Sequence, residues 1–322
     1  KPSRQVINSA YSGQSAWFTN FDKIQLQSEN SSVTSPCFDF TELKRPTISI
    51  KLWKRFASDR DGTVLQYKLG DSKAWETIGS IGDGIGWYNS PVIRGNPGDN
   101  QLGWTTIGSP DTYWNDGIHN LDSLVGKTDV KFRIAYGSDG TFPNHDGFAF
   151  DDIWIGDRSR VVLLEHFTNM THSSSQSADS IVNKISTASN KDVINIQYHT
   201  NFPYADQFYD ATKGDASARI LFYGLVNAPY TFIDGGTKKY YANIFDNNLV
   251  KVDSNDIKKE SLIPAGFSLY FEPEISGGVL AIKNGTITAL GNIESENLTL
   301  FLVVIEKSKT LNSVTYRNIF RK

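Results

Sequence analysis

Glu165 and His166 close an apolar run at 161–164, and His172 follows after a short polar stretch, directly before Ser173, Ser174 and Ser175. His199 ends a second β-rich run at 193–199. Imidazole titrates near neutrality, so His172 or His199 could act as a base for Ser175, or hold a metal together with Glu165. A serine hydroxyl is a poor nucleophile without such a base. Geometry weighs against the triad: Glu165 and His166 are neighbours in a strand and point to opposite faces, and no set of oxyanion donors is evident. The plainer reading is structural, with the three serines capping a helix and His199 a satisfied rim residue.

A second set lies in residues 148–155. Strand alternation puts Phe148, Phe150, Asp152 and Trp154 on one face and Asp151 with Ile153 on the other, so one carboxylate falls among apolar neighbours. A buried carboxylate needs a partner, and Asp151 or Asp152 with a loop carbonyl could supply hard oxygens to a structural Ca2+. The alternative is a carboxylate that accepts backbone amide bonds at a strand end. A third set is aromatic: Trp87, Tyr88, Trp104, Tyr113 and Trp114 sit in Gly- and Asn-rich stretches. Such rings can stack on sugars or grip a peptide, or they can fold back over the rim of a β-sandwich.

The elements that must position these residues fall into two patterns. All seven tryptophans lie in the first half, between Trp17 and Trp154. There, β-rich runs such as 47–53, 64–69 and 130–136 alternate with turn dipeptides such as Asp61-Gly62, Asp83-Gly84 and Asp116-Gly117. No helical period appears, which predicts a β-sandwich. From Arg158 the pattern becomes strand and helix in alternation. A strand at 161–167 leads to a helix at about 174–186, a strand at 193–199 and a helix at 215–224. A strand, a helix and a strand joined so closely imply adjacent parallel strands, with the ends of both, and therefore His172 and His199, at one rim. From 257 the pattern is all β, with strands expected at 266–271, 279–283, 286–290 and 298–305 and a hairpin turn at Asn284-Gly285.

At 322 residues and a net charge of −3, the chain has room for two or three cores and no basic excess that would suggest nucleic acid or an acidic membrane surface. The longest apolar run, 298–305, is too short to span a bilayer. Cys37 is alone, which excludes an internal disulfide and a cysteine-based zinc site. The chain opens on Lys1, as expected of a trimmed segment of a longer exported precursor or of a cut made for expression.

Several phrases are more specific. Ser35-Pro-Cys-Phe-Asp-Phe40, Gly86-Trp-Tyr-Asn89, Val130-Lys-Phe-Arg-Ile-Ala-Tyr-Gly137 and Asp146-Gly-Phe-Ala-Phe-Asp-Asp-Ile-Trp-Ile155 together resemble the MAM-like jelly-roll modules of secreted Bacteroidota proteins. That resemblance implies ligand or matrix binding, often a structural calcium, and no catalysis. Leu164-Glu-His-Phe-Thr168, Tyr198-His-Thr-Asn-Phe-Pro203 and Ala228-Pro-Tyr-Thr-Phe-Ile-Asp-Gly235 are similar to the thioredoxin-like outer-membrane proteins of Bacteroidota. In that family a Trp-Cys-x-x-Cys-Pro sequence follows, and Pro229 would be the cis-proline facing it. Here Thr171 stands for the Trp, His172 for the first Cys, Ser175 for the second and Gln176 for the Pro, so the site is vestigial and redox exchange is not expected. Asp122-Ser123-Leu124 and Asp179-Ser180-Ile181 also resemble Bacteroidota O-glycosylation sites.

The resulting expectation is a multidomain chain: an all-β jelly-roll sandwich at 1–157, a degenerate α/β thioredoxin-like domain at 158–256 and a partial β-sandwich at 257–322. The expected function is non-catalytic binding at the cell surface, with a protein or glycan ligand or an outer-membrane complex as partner and type IX secretion as the export route. The alternatives are a hydrolase or metal-dependent enzyme at the His172 and His199 rim, and a carbohydrate-binding protein acting through Trp87, Tyr88, Trp104 and Trp114.

Overall fold

The computed structural model describes residues 9–19, 28–72, 74–141, 146–236, 245–246, 249–250, 254–292 and 298–322. The chain divides into two compact units, Lys1–Arg158 and Ser159–Lys322. No helix among the described residues is long and apolar enough to cross a membrane.

Unit 1 is built from β1 (Trp17–Phe18), β2 (Asn30–Phe38), β3 (Pro46–Arg55), β4 (Gly62–Leu69), β5 (Glu76–Thr77), β6 (Asn115–Asn120), β7 (Val130–Gly137) and β8 (Gly147–Asp157). They form two four-stranded sheets, ordered β1-β8-β3-β6 and β2-β7-β4-β5, with every neighbour antiparallel. The period-two pattern of β3 explains the arrangement: Ile48, Ile50 and Leu52 are buried while Lys51 and Trp53 on the alternate face are not. These residues share one core with Val64 and Leu65 of β4, Phe132 and Ile134 of β7, and Phe148 and Phe150 of β8. Each fully buried aliphatic or aromatic side chain contributes about 1.5–3 kcal/mol relative to exposure.

Simple alternation fails in β8. Ser49 of β3 pairs with Trp154 and Lys51 with Asp151, so Ile50 alone faces both Asp152 and Ile153. This β-bulge, with Asp152 in the left-handed region at φ 43°, shifts the phase of the strand. Ile155 therefore packs against the core with Phe148 and Phe150, while Trp154 turns outward and Asp152 does not share their face. An extra residue in one strand is invisible to a period count.

Unit 2 contains β9 (Val162–Thr168), α1 (Ser173–Ala188), β10 (Val193–His199), α2 (Gln207–Tyr223), β11 (Tyr230–Ile233), β12 (Phe245–Asp246), β13 (Leu249–Val250), α3 (Ser254–Leu262), β14 (Phe267–Ser276), β15 (Val279–Ala289), β16 (Ile305–Leu311) and β17 (Val314–Phe320). The main sheet runs β11-β9-β10-β17-β16. β9 and β10 are parallel, in register from Val162 against Val193 to Thr168 against His199, and β11 lies antiparallel on the other side of β9. Val162, Leu164 and Val182 pack with Ile233 and with Ile257 of α3 on one side, and Phe167, Ile196, Tyr198, Ile220 and Phe232 form a second cluster.

Four expectations change here. Helix α2 begins at Gln207 rather than near 215, because Asp206 caps it and Phe208 and Tyr209 are buried in its first turn. Gly214, which reads as a breaker, sits inside the helix with open space beside it. The β14–β15 hairpin turns at Gly277 and Gly278, both at positive φ, and Asn284-Gly285 lies within β15. Gly285 is needed there because a Cβ would stand 2.6 Å from the Phe271 ring. Residues 298–304 form no strand; β16 starts only at Ile305. Finally, the strands after 257 do not gather into one sheet: among the described residues β14 and β15 form a two-stranded sheet, whereas β16 and β17 belong to the main sheet, which β17 joins through Gln197 and Ile319.

Candidate functional site

The loop after β9 is held by the side chains of Asn169, Asp206 and Gln176, the last donating to the Met170 carbonyl at 2.8 Å. Asn169 donates through Nδ2 to the Thr200 and Tyr204 carbonyls at 2.8 and 2.6 Å, and its Oδ1 accepts from the amide and hydroxyl of Thr171. Asp206 works on both sides of the gap. Its Oδ1 takes the Phe208 and Tyr209 amides and so caps α2, while its Oδ2 accepts from the Met170 amide at 2.7 Å and from His199 Nδ1 at 2.8 Å. Burial alone would raise the Asp206 carboxyl, but His199 and the Met170 and Tyr209 amides outweigh it and hold its pKa below the usual value.

His172 is the residue before α1, and its Nδ1 lies 3.2 Å from Ser175 Oγ. Ser175 is completely buried, so its hydroxyl faces no solvent. The three serines do not cap the helix by side chain as expected; His172 takes the N-cap position without a side-chain cap bond. His199 is also buried, bonded to Asp206 and packed against the rings of Phe208 and Tyr316 at 4.6 and 5.8 Å. Its Nε2 has no hydrogen-bond partner among the described residues. The register sets His199 at the same strand ends as the loop, yet no hydrogen bond or ring contact among the described residues joins it to His172. The physical reason is Asp206, which draws the His199 ring beneath α2 while His172 turns to Ser175 and Tyr204.

Glu165 and His166 do point apart. Glu165 receives Arg219 in a two-pronged ion pair at 2.7 Å for both contacts, plus the Tyr223 hydroxyl. His166 bonds Thr231 Oγ1 at 2.7 Å and Asp179 Oδ1 at 2.8 Å. Neither side chain is drawn toward Ser175 by these contacts. Ala228–Pro229 is cis, and so is Phe202–Pro203, which sequence reasoning passed over. Among the described residues no group of three or more His, Cys, Asp or Glu side chains is arranged to hold a metal ion.

In unit 1, Asp151 Oδ2 accepts the Tyr11 amide at 2.9 Å and the Ser12 amide at 3.3 Å, and Asp152 Oδ1 accepts the Ser12 hydroxyl at 2.6 Å. Those oxygens tie residues 11–12 to β8. Of the aromatic set, Trp87, Tyr88 and Trp104 are buried, with polar atoms bonded to the backbone of Ile78, Leu65 and Gly86. Trp114 is half-buried, edge-on to Trp53 and Tyr11, and Tyr113 beside it is exposed. A pocket of about 310 Å³ opens beside Trp87 and Trp104, walled by Lys54, Asn89, Asn115 and Asp116. Sequence reasoning missed Lys54, Asn89 and Asn115, since Asn and Lys in β-rich sequence carry no distinctive signal, and it read Asp116-Gly117 as a turn, whereas both residues lie within β6 and pair with β3. Asp206 was also missed, although an Asp just before Gln207-Phe-Tyr is a legible cap. The serines of the two glycosylation-like motifs, Ser123 and Ser180, are both exposed.

His119 carries a pH dependence. It is buried beside Trp87, with Nε2 3.0 Å from Asp83 Oδ1 and Nδ1 against the Asn120 carbonyl. Burial dominates and pushes its pKa below the ordinary imidazole value of 6.5, with Asp83 only partly opposing. The unfolded chain therefore takes up a proton first as pH falls below 6.5, and stability contributed by neutral His119 is lost between 6.5 and the lower folded value. Urea midpoints for the transition of unit 1 are expected to fall from pH 7.5 to pH 5.5, and His119→Gln is expected to flatten that slope. An unchanged slope in the variant would remove His119 as the cause.

No protein-family model matches this sequence, and no curated protein matches it.

Proposed function

We propose that this chain is a non-catalytic, exported binding or accessory protein of a bacterial cell surface. In this reading a MAM-like jelly-roll module is joined to a thioredoxin-like domain whose dithiol has been lost. The observation that carries it is the state of the loop after β9: the two positions at issue hold His172 and a fully buried Ser175, and the loop is tied down by Asn169 and Asp206. The β9-α1-β10 crossover, the antiparallel β11 and the cis Ala228–Pro229 bond support the thioredoxin-like assignment. A hydroxyl with no solvent face has no route to attack an incoming substrate. Calcium at Asp151 and Asp152 would be structural in this reading, replacing or reinforcing the tie to residues 11–12.

The test uses the full chain in two assays. In an insulin-reduction assay and against a panel of nitrophenyl esters, phosphates and glycosides, turnover is expected to stay at the buffer level. Turnover that disappears in His172→Ala or His199→Ala would establish an enzyme instead. Protease shaving of intact native cells is expected to release the protein, and protection from the protease would contradict the surface location.

A further inference from the structure

We infer that the pocket beside Trp87 and Trp104 in unit 1 is a binding site for a single neutral sugar ring, such as a terminal or branch pyranose of a glycan. This rests on the binding reading above and names the ligand class and the residues.

The pocket, at about 310 Å³, is near the small end of the range for small-molecule sites, roughly 300–1,000 Å³. Its charges are already paired: Lys54 Nζ lies 3.0 Å from Asp111 Oδ2, and Asp116 Oδ1 lies 2.5 Å from Lys51 Nζ. A charged ligand would leave one of these pairs to be broken or an extra charge uncompensated, so a neutral ligand fits best. Hydrogen-bonding capacity nevertheless remains. Asn89 spends Oδ1 and one amide hydrogen on Thr105, which leaves its second N–H. Asn115 donates once, to the Tyr113 carbonyl, and its Oδ1 has no donor among the described residues. Lys54 and Asp116 keep further donor and acceptor positions. Mixed donors and acceptors at short spacing are what vicinal hydroxyls require, since each hydroxyl both gives and accepts.

The apolar part of the pocket narrows the choice further. Trp87 and Trp104 stand edge to face at 4.8 Å, each also packs against Tyr88, and Trp87 lies against His119, so both indoles are almost wholly buried. A flat aromatic ligand would find no open face to stack on, whereas a sugar ring, held mainly by hydrogen bonds through its hydroxyls, needs only van der Waals contact with half-buried Ile85 as its floor. The walls are pre-formed. Ile85 and Ile118 exchange both backbone hydrogen bonds, and Asn89 N bonds the Gly103 carbonyl. Gly86 has φ +55°, and a Cβ there would stand 2.0 Å from the Asp116 carbonyl, so the backbone closes tightly at this point without a side chain. Tyr113, 68% exposed, lies two residues before Asn115, which bonds its carbonyl, and offers an open ring for a neighbouring sugar.

The test is a printed array of glucosyl, galactosyl, mannosyl, fucosyl and N-acetylglucosaminyl termini probed with the labelled full chain, followed by calorimetry with the methyl glycoside of the best hit. Binding is expected, and Asn115→Ala and Asp116→Ala are each expected to weaken it about tenfold or more without lowering the melting temperature. The Lys51–Asp116 pair is partly exposed, so its loss leaves the fold intact. Tyr113→Ala is expected to weaken oligosaccharides more than the monosaccharide. Silence of the wild type across the array overturns the sugar site and leaves the surface-binding reading to its own protease test. Binding undiminished in both variants also overturns this site, by placing the sugar elsewhere on the molecule.

Discussion

Asp206→Ala is expected to destabilise unit 2 by about 3–5 kcal/mol in urea titrations of the full chain. The carboxylate is buried and serves four donors: the Phe208 and Tyr209 amides, the Met170 amide and His199 Nδ1. Loss of a helix cap costs about 0.5–2 kcal/mol. Each buried donor left without an acceptor adds about 1–3 kcal/mol, and two are created here. Asp206→Asn keeps an oxygen for the cap and is expected to cost less. A pH signature accompanies the loss. Because the folded pKa of Asp206 lies below its ordinary value of 3.8, its contribution is complete above that value and disappears as pH falls through the folded pKa. The alanine variant is therefore expected to show a shallower loss of stability below about pH 4 than the wild type. A cost under about 1 kcal/mol would show that the loop and α2 are held by other means.

Arg219→Met is expected to be about as damaging, at about 3–5 kcal/mol, for a different reason. Glu165, almost wholly buried, accepts two hydrogen bonds from Arg219 and one from the Tyr223 hydroxyl. Burial works against the Arg219 charge, and Glu165 more than offsets it, so the guanidinium pKa stays above its usual value. Removing the arginine leaves a carboxylate in the interior with one hydroxyl for company. It also removes a cation from the rings of Phe222, Tyr223 and Phe301, which lie 4.6–5.1 Å away. The double variant Glu165→Gln with Arg219→Met is expected to recover much of the loss, because neither charge is then stranded. If the double variant is as unstable as the single one, the packing of the arginine stem rather than its charge is what matters.

The contrast between Asp206 and Glu165 shows where sequence reading reaches and where it stops. That Glu165 and His166 point to opposite faces follows from strand geometry alone, and their partners, Arg219 and Asp179, lie on opposite sides of β9. That His172 and His199 sit at neighbouring strand ends also follows from a short β-α-β connection. Their failure to meet does not, because it depends on Asp206, a residue reached only through the turn at 200–206. A rim position says where a side chain starts; its neighbours decide where it goes.

Composition and period determined a good deal about this protein. The confinement of all seven tryptophans to the first half marked the division near residue 158, and the β-rich runs at 47–53, 64–69 and 130–136 fall on β3, β4 and β7. These are local properties, repeated over many residues, and each repeat reinforces the next. Tertiary structure alone decided the bulge at Asp152, the turn at Gly277-Gly278 in place of Asn284-Gly285, and the joining of β17 to β10. It also decided that Trp87 and Trp104 turn inward while Lys54, Asn89, Asn115 and Asp116 gather around their edges. Each of these depends on one contact between residues distant in the chain, such as Phe271 against Gly285 or Asp116 against Gly86. A single contact leaves no period in the sequence, so only the folded chain reveals it.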